Sequence, residues 1–587
     1  MRLGDAERAM LAGERGEAVA RALRLQIEVG DFFGAEDFVA VDSVHMMAEI
    51  ESMGEAGLAW VGEMAALGGR AIVPTTCNPR SVDFALWQSL GQDERQVELE
   101  LRLSRALEGL GVLVLDTCIN YQTVSPPRFR ERVAWGDTGT VIFANAVAGA
   151  RTNFEGGPVA LAAALTGRTP RYGYHLDEQR LGTVLVEVRD QPTCTSDWGA
   201  LGCWIGRRVS DYWQVPVLVG LEVQPTIDQL KQLGACLASY GSLAMFHLVG
   251  VTPEARTVEE ALGGRAPERR LVLEPGGLRD TYASFQPERE RADVVAFTAP
   301  QLSIVELGEL ARLLAGRTVH PETRLLVTTN YQNRAAAERL GFARAISEAG
   351  GLLLSGTCFY LMTARELAEK HGWRTILTDS AKLANIIPGY GYNAVFRPTE
   401  LCVEAAVSGR IPEWSSMVDG PGERPEGSAA DVSAVSAIAP HRHSLRPAPF
   451  LLRGRPGIGP AVEGEALVSQ HGFSARYDLN RKTGRFSRES HDLFGESVVG
   501  RILVHPTAKG GVATAWALRD MRAVGTAPSA LLFSRANPIM AQGAALAQIP
   551  LLDQLDPDPI TVVESGDWLR VDPPAGTVEV VRRGRAP

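Results

Sequence analysis

The sequence predicts a multi-domain α/β protein with parallel or mixed sheets, followed by a small C-terminal β/α domain on a tether. Three observations predict it. From residue 1 to about 410, short apolar runs closed by turn residues alternate with longer stretches of helical period, the pattern of strands joined by crossover helices. Between 413 and 449, Gly, Pro, Ser and Ala replace that alternation, which marks a linker. The 587 residues also exceed what a single core usually organises. The expected divisions are therefore a large part over 1–412 with more than one subdomain, a linker over 413–449, and a tail domain over 450–587.

In chain order, strands are expected over 38–41, 71–74, 112–115, 183–188, 215–221, 271–273, 294–297, 325–328 and 352–355, each a short apolar run bounded by turn residues. Between them Ala, Leu, Glu and Arg at helical period predict helices over 56–67, 94–109, 227–240, 303–314 and 332–349. In the tail, β-rich runs fall at 466–471, 501–505, 529–533 and 561–564, with one clear helix over 512–524. A compact unit of this kind on a tether suits a lid or swivelling domain.

Composition narrows the function classes. With 59 Lys+Arg against 69 Asp+Glu the net charge is −10, and no basic stripe is present, so nucleic acid is not an expected partner. No apolar run approaches the ~18–20 residues that cross a bilayer, and residues 1–28 alternate charges with Leu and Ala where a signal peptide would be apolar. The seven Cys are odd in number and scattered, which suits a reducing compartment. The expectation is a soluble cytoplasmic protein with neither a nucleic-acid nor a membrane partner.

Three Cys stand at strand ends or helix starts: Cys118 in Leu-Asp-Thr-Cys, Cys358 in Leu-Ser-Gly-Thr-Cys, and Cys402 in Glu-Leu-Cys-Val-Glu. The carboxyl ends of strands converge on the ligand crevice of open α/β sheets. Three thiolates would suit an iron–sulfur cluster with one open iron, although no CxxC pair is present and an isolated Cys is more often a small buried hydrophobe. A run of small residues ending in Asn145, Arg151, Thr152 and Asn153 is dense in donors for a carboxylate or hydroxyl; a turn-rich solvated connection fits equally. The loop Lys509-Gly510-Gly511, between a strand and a helix, offers backbone N–H groups to an anion, or is an ordinary tight turn. Ser380 and Lys382 follow another strand, with Ser380 equally suited to capping a helix, and His45 follows the strand at 38–41, where a buried structural histidine is the commoner outcome.

Together these segments resemble the aconitase X family, the divergent hydro-lyase branch of the aconitase superfamily. The resemblance spans nearly the whole chain: Glu7 to Gly16, Thr117-Cys118, Ala134-Trp135, Asn145 to Asn153, Gly167 to His175, Phe246 to Ala255, Gly356-Thr-Cys358, Asp379-Ser-Ala-Lys382 and Cys402. It implies a large α/β catalytic part plus a swivel domain and an iron–sulfur cluster on Cys118, Cys358 and Cys402. The implied reaction is removal of water from a small hydroxy acid, cis-3-hydroxy-L-proline or a phosphorylated mevalonate being the family's substrate classes. On this reading Asn145, Arg151, Thr152, Asn153, Ser380, Lys382, Gly510 and Gly511 would contact substrate. The chain departs from the family pattern at Ile119-Asn120 and at Gly136 to Gly139, and in the swivel loop, where the family's serine base is replaced by Lys509-Gly-Gly-Val-Ala-Thr514. Thr514, Lys509 or His45 is then the expected base. A different hydroxy acid, an isomerisation on the same scaffold, and a non-enzymatic iron–sulfur sensor remain the alternatives.

Overall fold

The computed structural model describes residues 1–414 and 447–584, so most of the expected linker over 413–449 lies outside the described residues. Four sheets carry the architecture. A three-stranded parallel sheet in the order Thr75–Cys77, Ser43–Met46, Val133–Trp135 opens the chain. A four-stranded parallel sheet follows, ordered His247–Leu248, Pro216–Val219, Val184–Val188, Arg269–Leu273. The third sheet has five parallel strands, ordered Leu352–Ser355, Arg324–Thr329, Val294–Phe297, Thr375–Thr378, Asn393–Phe396.

That third order decides where the chemistry can sit. From Val294–Phe297 the chain winds outward one way through two strands, then returns to the other side of the same strand at Thr375–Thr378. The loops leaving these two strands therefore diverge and open a crevice at the switch point.

The C-terminal sheet has seven strands and is mixed. Phe450–Arg453, Thr577–Arg582, Trp568–Asp572 and Val462–Val468 pair antiparallel, and Ile502–Thr507, Ala530–Arg535 and Leu551–Asp553 continue in parallel. Its helices Thr514–Val524 and Pro538–Ala547 pack on the first domain: Trp516, Met540 and Ala544 belong to one apolar core with Val61, Ala160 and Leu161. The Trp516 indole N–H donates to the Met47 carbonyl at 2.8 Å, and both Gly157 and Gly156 lie where a Cβ would strike this C-terminal domain.

Four expected elements differ. The strand expected at 71–74 starts instead at Thr75, because Pro74 has no N–H to give and only its carbonyl pairs, with Val44 N–H. The run 112–115 makes a single bridge, Thr76 to Leu113, before the chain turns through Asp116 in the left-handed region, φ 51°. The helix expected over 332–349 breaks at Gly341, φ 81°, into Tyr331–Leu340 and Phe342–Glu348. The run 561–564 joins a short helix, Pro559–Val562, opened by Pro559 and capped by the Asp558 carboxylate. Among the described residues, no helix is long and apolar enough to cross a membrane.

Candidate active site

Gln301 is the hub of the switch-point crevice. It follows Val294–Phe297, and its Nε2 donates to the carbonyls of Asp116 (3.1 Å), Thr329 (3.2 Å) and Thr357 (3.2 Å), while its Oε1 accepts from Cys118 N–H. One buried amide thus fixes the loops that carry Cys118 and Cys358. The Gln301 N–H in turn points at Cys118 Sγ, 3.3 Å away. Across the loop, Thr298 Oγ1 accepts from Thr328 Oγ1 at 2.7 Å and lies 3.4 Å from Cys358 Sγ, which leaves the Thr298 proton for that sulfur.

A second brace lies behind. Arg80, wholly buried, donates from Nε to Asp116 Oδ1 at 2.7 Å and from Nη1 to the Ala48 carbonyl, and its own backbone pairs with Gly356 and Thr357. The first and third sheets are therefore tied by backbone bonds next to Cys358.

Into the same space comes Lys382, on the helix Ala381–Ile386 that leaves Thr375–Thr378. Its Nζ is 3.8 Å from Asp137 Oδ1, with both side chains buried. Burial alone would depress this ammonium, yet the Asp137 carboxylate beside it holds it above the usual lysine value. Asp137 is placed by its own local role: it caps the helix Thr138–Ile142, accepting Gly139 N–H at 2.9 Å. Burial pushes Cys358 up to about 11 and Cys118 higher still, so both sulfurs are neutral thiols beside a charged lysine.

The C-terminal domain closes the site with Arg476 and Tyr477. Arg476 is buried; its Nη1 pairs with Glu51 of the first domain, and its guanidinium lies 5.8 Å from the ring centres of Tyr360 and of Tyr390. Its Nε and Nη2 have no partner among the described residues. Burial raises the Tyr477 phenol, against the pull of Lys382 and Arg476. Gly511, φ 106°, is needed there because a Cβ would sit 3.0 Å from the Tyr477 ring.

Several expected site residues are committed elsewhere. Cys402 is the chief correction: it lies on the helix Thr399–Ser408, inside a separate core with Val295, Leu377 and Val403, and its Sγ meets the Arg397 carbonyl at 3.4 Å. Cys118 and Cys358 belong to one apolar core at the crevice and Cys402 to another; among the described residues, the one group of three His, Cys, Asp or Glu donors close enough to share a single metal ion is His471, His491 and Asp492. Cys118 and Cys358 reach the crevice and Cys402 does not, so a cluster held by these three Cys together does not fit the donor set.

Asn145 spends its amide on Thr152 and Ala244 carbonyls and accepts Thr152 N–H, Thr152 Oγ1 accepts Trp135 N–H, and Asn153 holds Tyr172, Tyr174 and Tyr212. Arg151 pairs with Asp177 and donates to the His175 carbonyl. These four are tied into a buried knot of protein–protein hydrogen bonds.

The expected bases fare similarly. Lys509 is ion-paired with Asp478 at 2.9 Å, and Thr514 is buried against Ser474 Oγ at 3.0 Å. Gly510 presses on the Ala238 carbonyl at the end of the helix Ile227–Gly241. His45 is buried with Nδ1 on Thr76 Oγ1 at 2.8 Å, and burial pushes it down to about 4 despite Asp137, so it is neutral. Ser380 caps its helix and donates to the Ala299 carbonyl. Asp137, Gln301, Arg476 and Tyr477 are the site residues that sequence reasoning missed.

Against known proteins, family models described as aconitase X first domain, second domain, third domain and swivel domain match residues 1–178, 182–283, 292–408 and 451–580. A cis-3-hydroxy-L-proline dehydratase of Pseudomonas aeruginosa is 38% identical over 423 residues, covering 71% of this chain and 72% of its own. This chain belongs to the aconitase X family. Within that family the phosphomevalonate dehydratase large subunit of Methanocaldococcus jannaschii is 32% identical, over 66% of this chain and 96% of its own. The crystal structure of Thermococcus kodakaraensis aconitase X (holo-form) superposes with a TM-score of 0.63 at 30% identity, covering 69% of this chain and all of that one. The aconitase X relatives are dehydratases, and this chain is an enzyme of their hydro-lyase class.

Proposed function

We propose that this aconitase X member removes water from a small β-hydroxy carboxylic acid in the crevice between Lys382 and Arg476, with cis-3-hydroxy-L-proline the first compound to test. The observation that carries the reading is the guanidinium of Arg476: fully buried, paired through Nη1, with Nε and Nη2 unpartnered among the described residues. Two adjacent free donors on a planar fork are what a carboxylate completes, and leaving them bare in the interior is costly.

With the carboxylate on that fork, the chain's own residues account for an elimination. Asp137 takes the proton α to the carboxylate, and the Lys382 ammonium gives one to the departing hydroxyl, so that water leaves and a double bond forms. The 3.8 Å contact between Asp137 and Lys382 then returns the proton and resets the pair. Arg476 favours the build-up of negative charge on the carboxylate as the Cα proton departs. Buried Tyr477, packed against Gly511, would help keep bulk water out. The two thiols serve as neutral walls beside Lys382.

The experiment is a panel of 3-hydroxy acids, cis- and trans-3-hydroxy-L-proline included, followed by mass spectrometry for loss of water. Arg476→Lys, which keeps the charge but loses the fork, should raise KM at least tenfold. Wild-type enzyme that dehydrates none of the panel, or an Arg476→Lys variant with wild-type KM, would sink the assignment.

A further inference from the structure

The swivel domain carries a second cluster of donor atoms, outside the crevice and unused by the reaction above. It is built where the strand Val462–Val468 ends and the chain turns through Ser469 to Gly472, against the turn that holds His491 and Asp492. Asp492 fastens the two segments: Oδ1 accepts Ser469 Oγ at 2.6 Å and Oδ2 accepts Gln470 N–H at 2.8 Å. His491 is buried, stacked on Phe486 with ring centres 4.5 Å apart, and edge-on to His471 at 5.3 Å.

The hydrogen bonds fix which ring atoms carry lone pairs. Leu493 N–H donates to His491 Nδ1 at 3.1 Å, and Asp492 N–H donates to His471 Nδ1 at 3.3 Å, so both Nδ1 atoms are acceptors. Yet His491 Nδ1 lies 3.0 Å, and His471 Nδ1 3.7 Å, from the same carboxylate oxygen, Asp492 Oδ1. The Ser469 hydroxyl and the two backbone N–H groups now face these three atoms, and a metal ion among them would take over the same lone pairs. Ligands at 2.0–2.1 Å around a tetrahedral metal ion are spaced about 3.3 Å apart, which brackets these separations. The Nε2 atom of buried His491 has no partner among the described residues, so the ring is not turned to satisfy its other nitrogen.

We propose that His471, His491 and Asp492 form a binding site for a divalent transition-metal ion of the zinc type. Two imidazoles and one carboxylate are a donor set that suits such ions. His471 and Asp492 are each about a third exposed, 36% and 32% by side chain, which gives the ion an entry path and leaves a fourth position to water. The ion would lock the turn at 488–493 to the segment 469–471. From that turn Arg488 donates to the Asn385 carbonyl, on the helix that bears Lys382, at 2.7 Å. The site thus steadies the swivel where it touches the catalytic helix.

The test is zinc content per chain by mass spectrometry after equilibration with zinc on the order of ten micromolar and removal of excess, together with the melting temperature with and without zinc. Wild type should hold one equivalent and melt higher with zinc. His471→Gln, at a position about a third exposed where the change does not threaten folding, should weaken binding by about tenfold or more and abolish the shift. The Cys118→Ser, Cys358→Ser double variant should retain the ion. Wild type that holds no zinc, His471→Gln that holds as much as wild type, or loss of zinc on removing the two thiols would each overturn the proposal. A bare proton bridging His491 and Asp492 predicts the first of these results.

Discussion

Replacing Lys382 by Met tests the proposed chemistry and its energetics together. The ammonium stands 3.8 Å from Asp137 Oδ1, and both groups are buried. At an effective dielectric constant of about 20 that separation is worth about 4 kcal/mol of attraction. Removing one partner of a buried pair leaves the other charge uncompensated and costs about 3–5 kcal/mol. For a domain of this size the melting temperature should fall by about 10 °C. The companion variant Lys382→Met, Asp137→Asn removes both charges and should recover most of that loss, since the remaining groups are neutral and close in size. Turnover should behave otherwise: both variants lose at least ~100-fold, because a proton donor is missing in each. Thermal unfolding followed by circular dichroism, alongside the water-loss assay, reads both quantities. A single variant that melts with wild type, a double variant no more stable than the single, or a double variant with wild-type turnover would refute the assignment of Lys382 and Asp137.

Three other outcomes follow from the geometry. Cys402→Ala should cost about 1–2 kcal/mol of stability and leave turnover within about twofold; anaerobically purified protein should show the same iron and sulfide content with and without this substitution. Glu155, buried beside Thr169 and Gln542, is pushed by burial up to about 7, above its unfolded value, so it binds a proton more tightly when folded and stability falls as pH rises from about 4.5 to 7. Glu155→Gln should remove that fall and stabilise the protein by roughly 3 kcal/mol above pH 7, measured as the difference in melting temperature between pH 5 and pH 8. Gly157→Ala places a methyl against the Trp516 indole and the Met47 carbonyl, so it should loosen the swivel, seen as faster limited proteolysis and lower turnover with the large part still folded.

Local pattern made part of this site legible. Cys358 and Lys382 follow strand ends and Cys118 an apolar run that makes a single bridge, and an apolar run closed by Thr-Cys or Asp-Ser is visible in a single sequence. In the sequence Cys402 stands at a helix start, and only tertiary packing separates a thiol aimed at a crevice from one buried against Val295 and Leu377. Gln301 and Arg476 gave no local sign, because their roles rest on contacts across 183 and 425 residues of chain. Asp137 was hidden by its spacing, since a helix-capping aspartate is common and its second role depends on Lys382. The strand expected at 71–74 slipped for a local reason, Pro74, and the helix expected over 332–349 broke for another, Gly341.

The apolar seam around Trp516 has the make-up of a permanent subunit interface, although both faces belong to one polypeptide. A covalent connection holds two such faces at an effective concentration in the millimolar range, so docking needs far less intrinsic affinity than it would between separate chains. Selection on a fused chain can therefore relax the seam, and a swivel cut free at its tether would present bare hydrocarbon where Val61 and Ala160 now cover it.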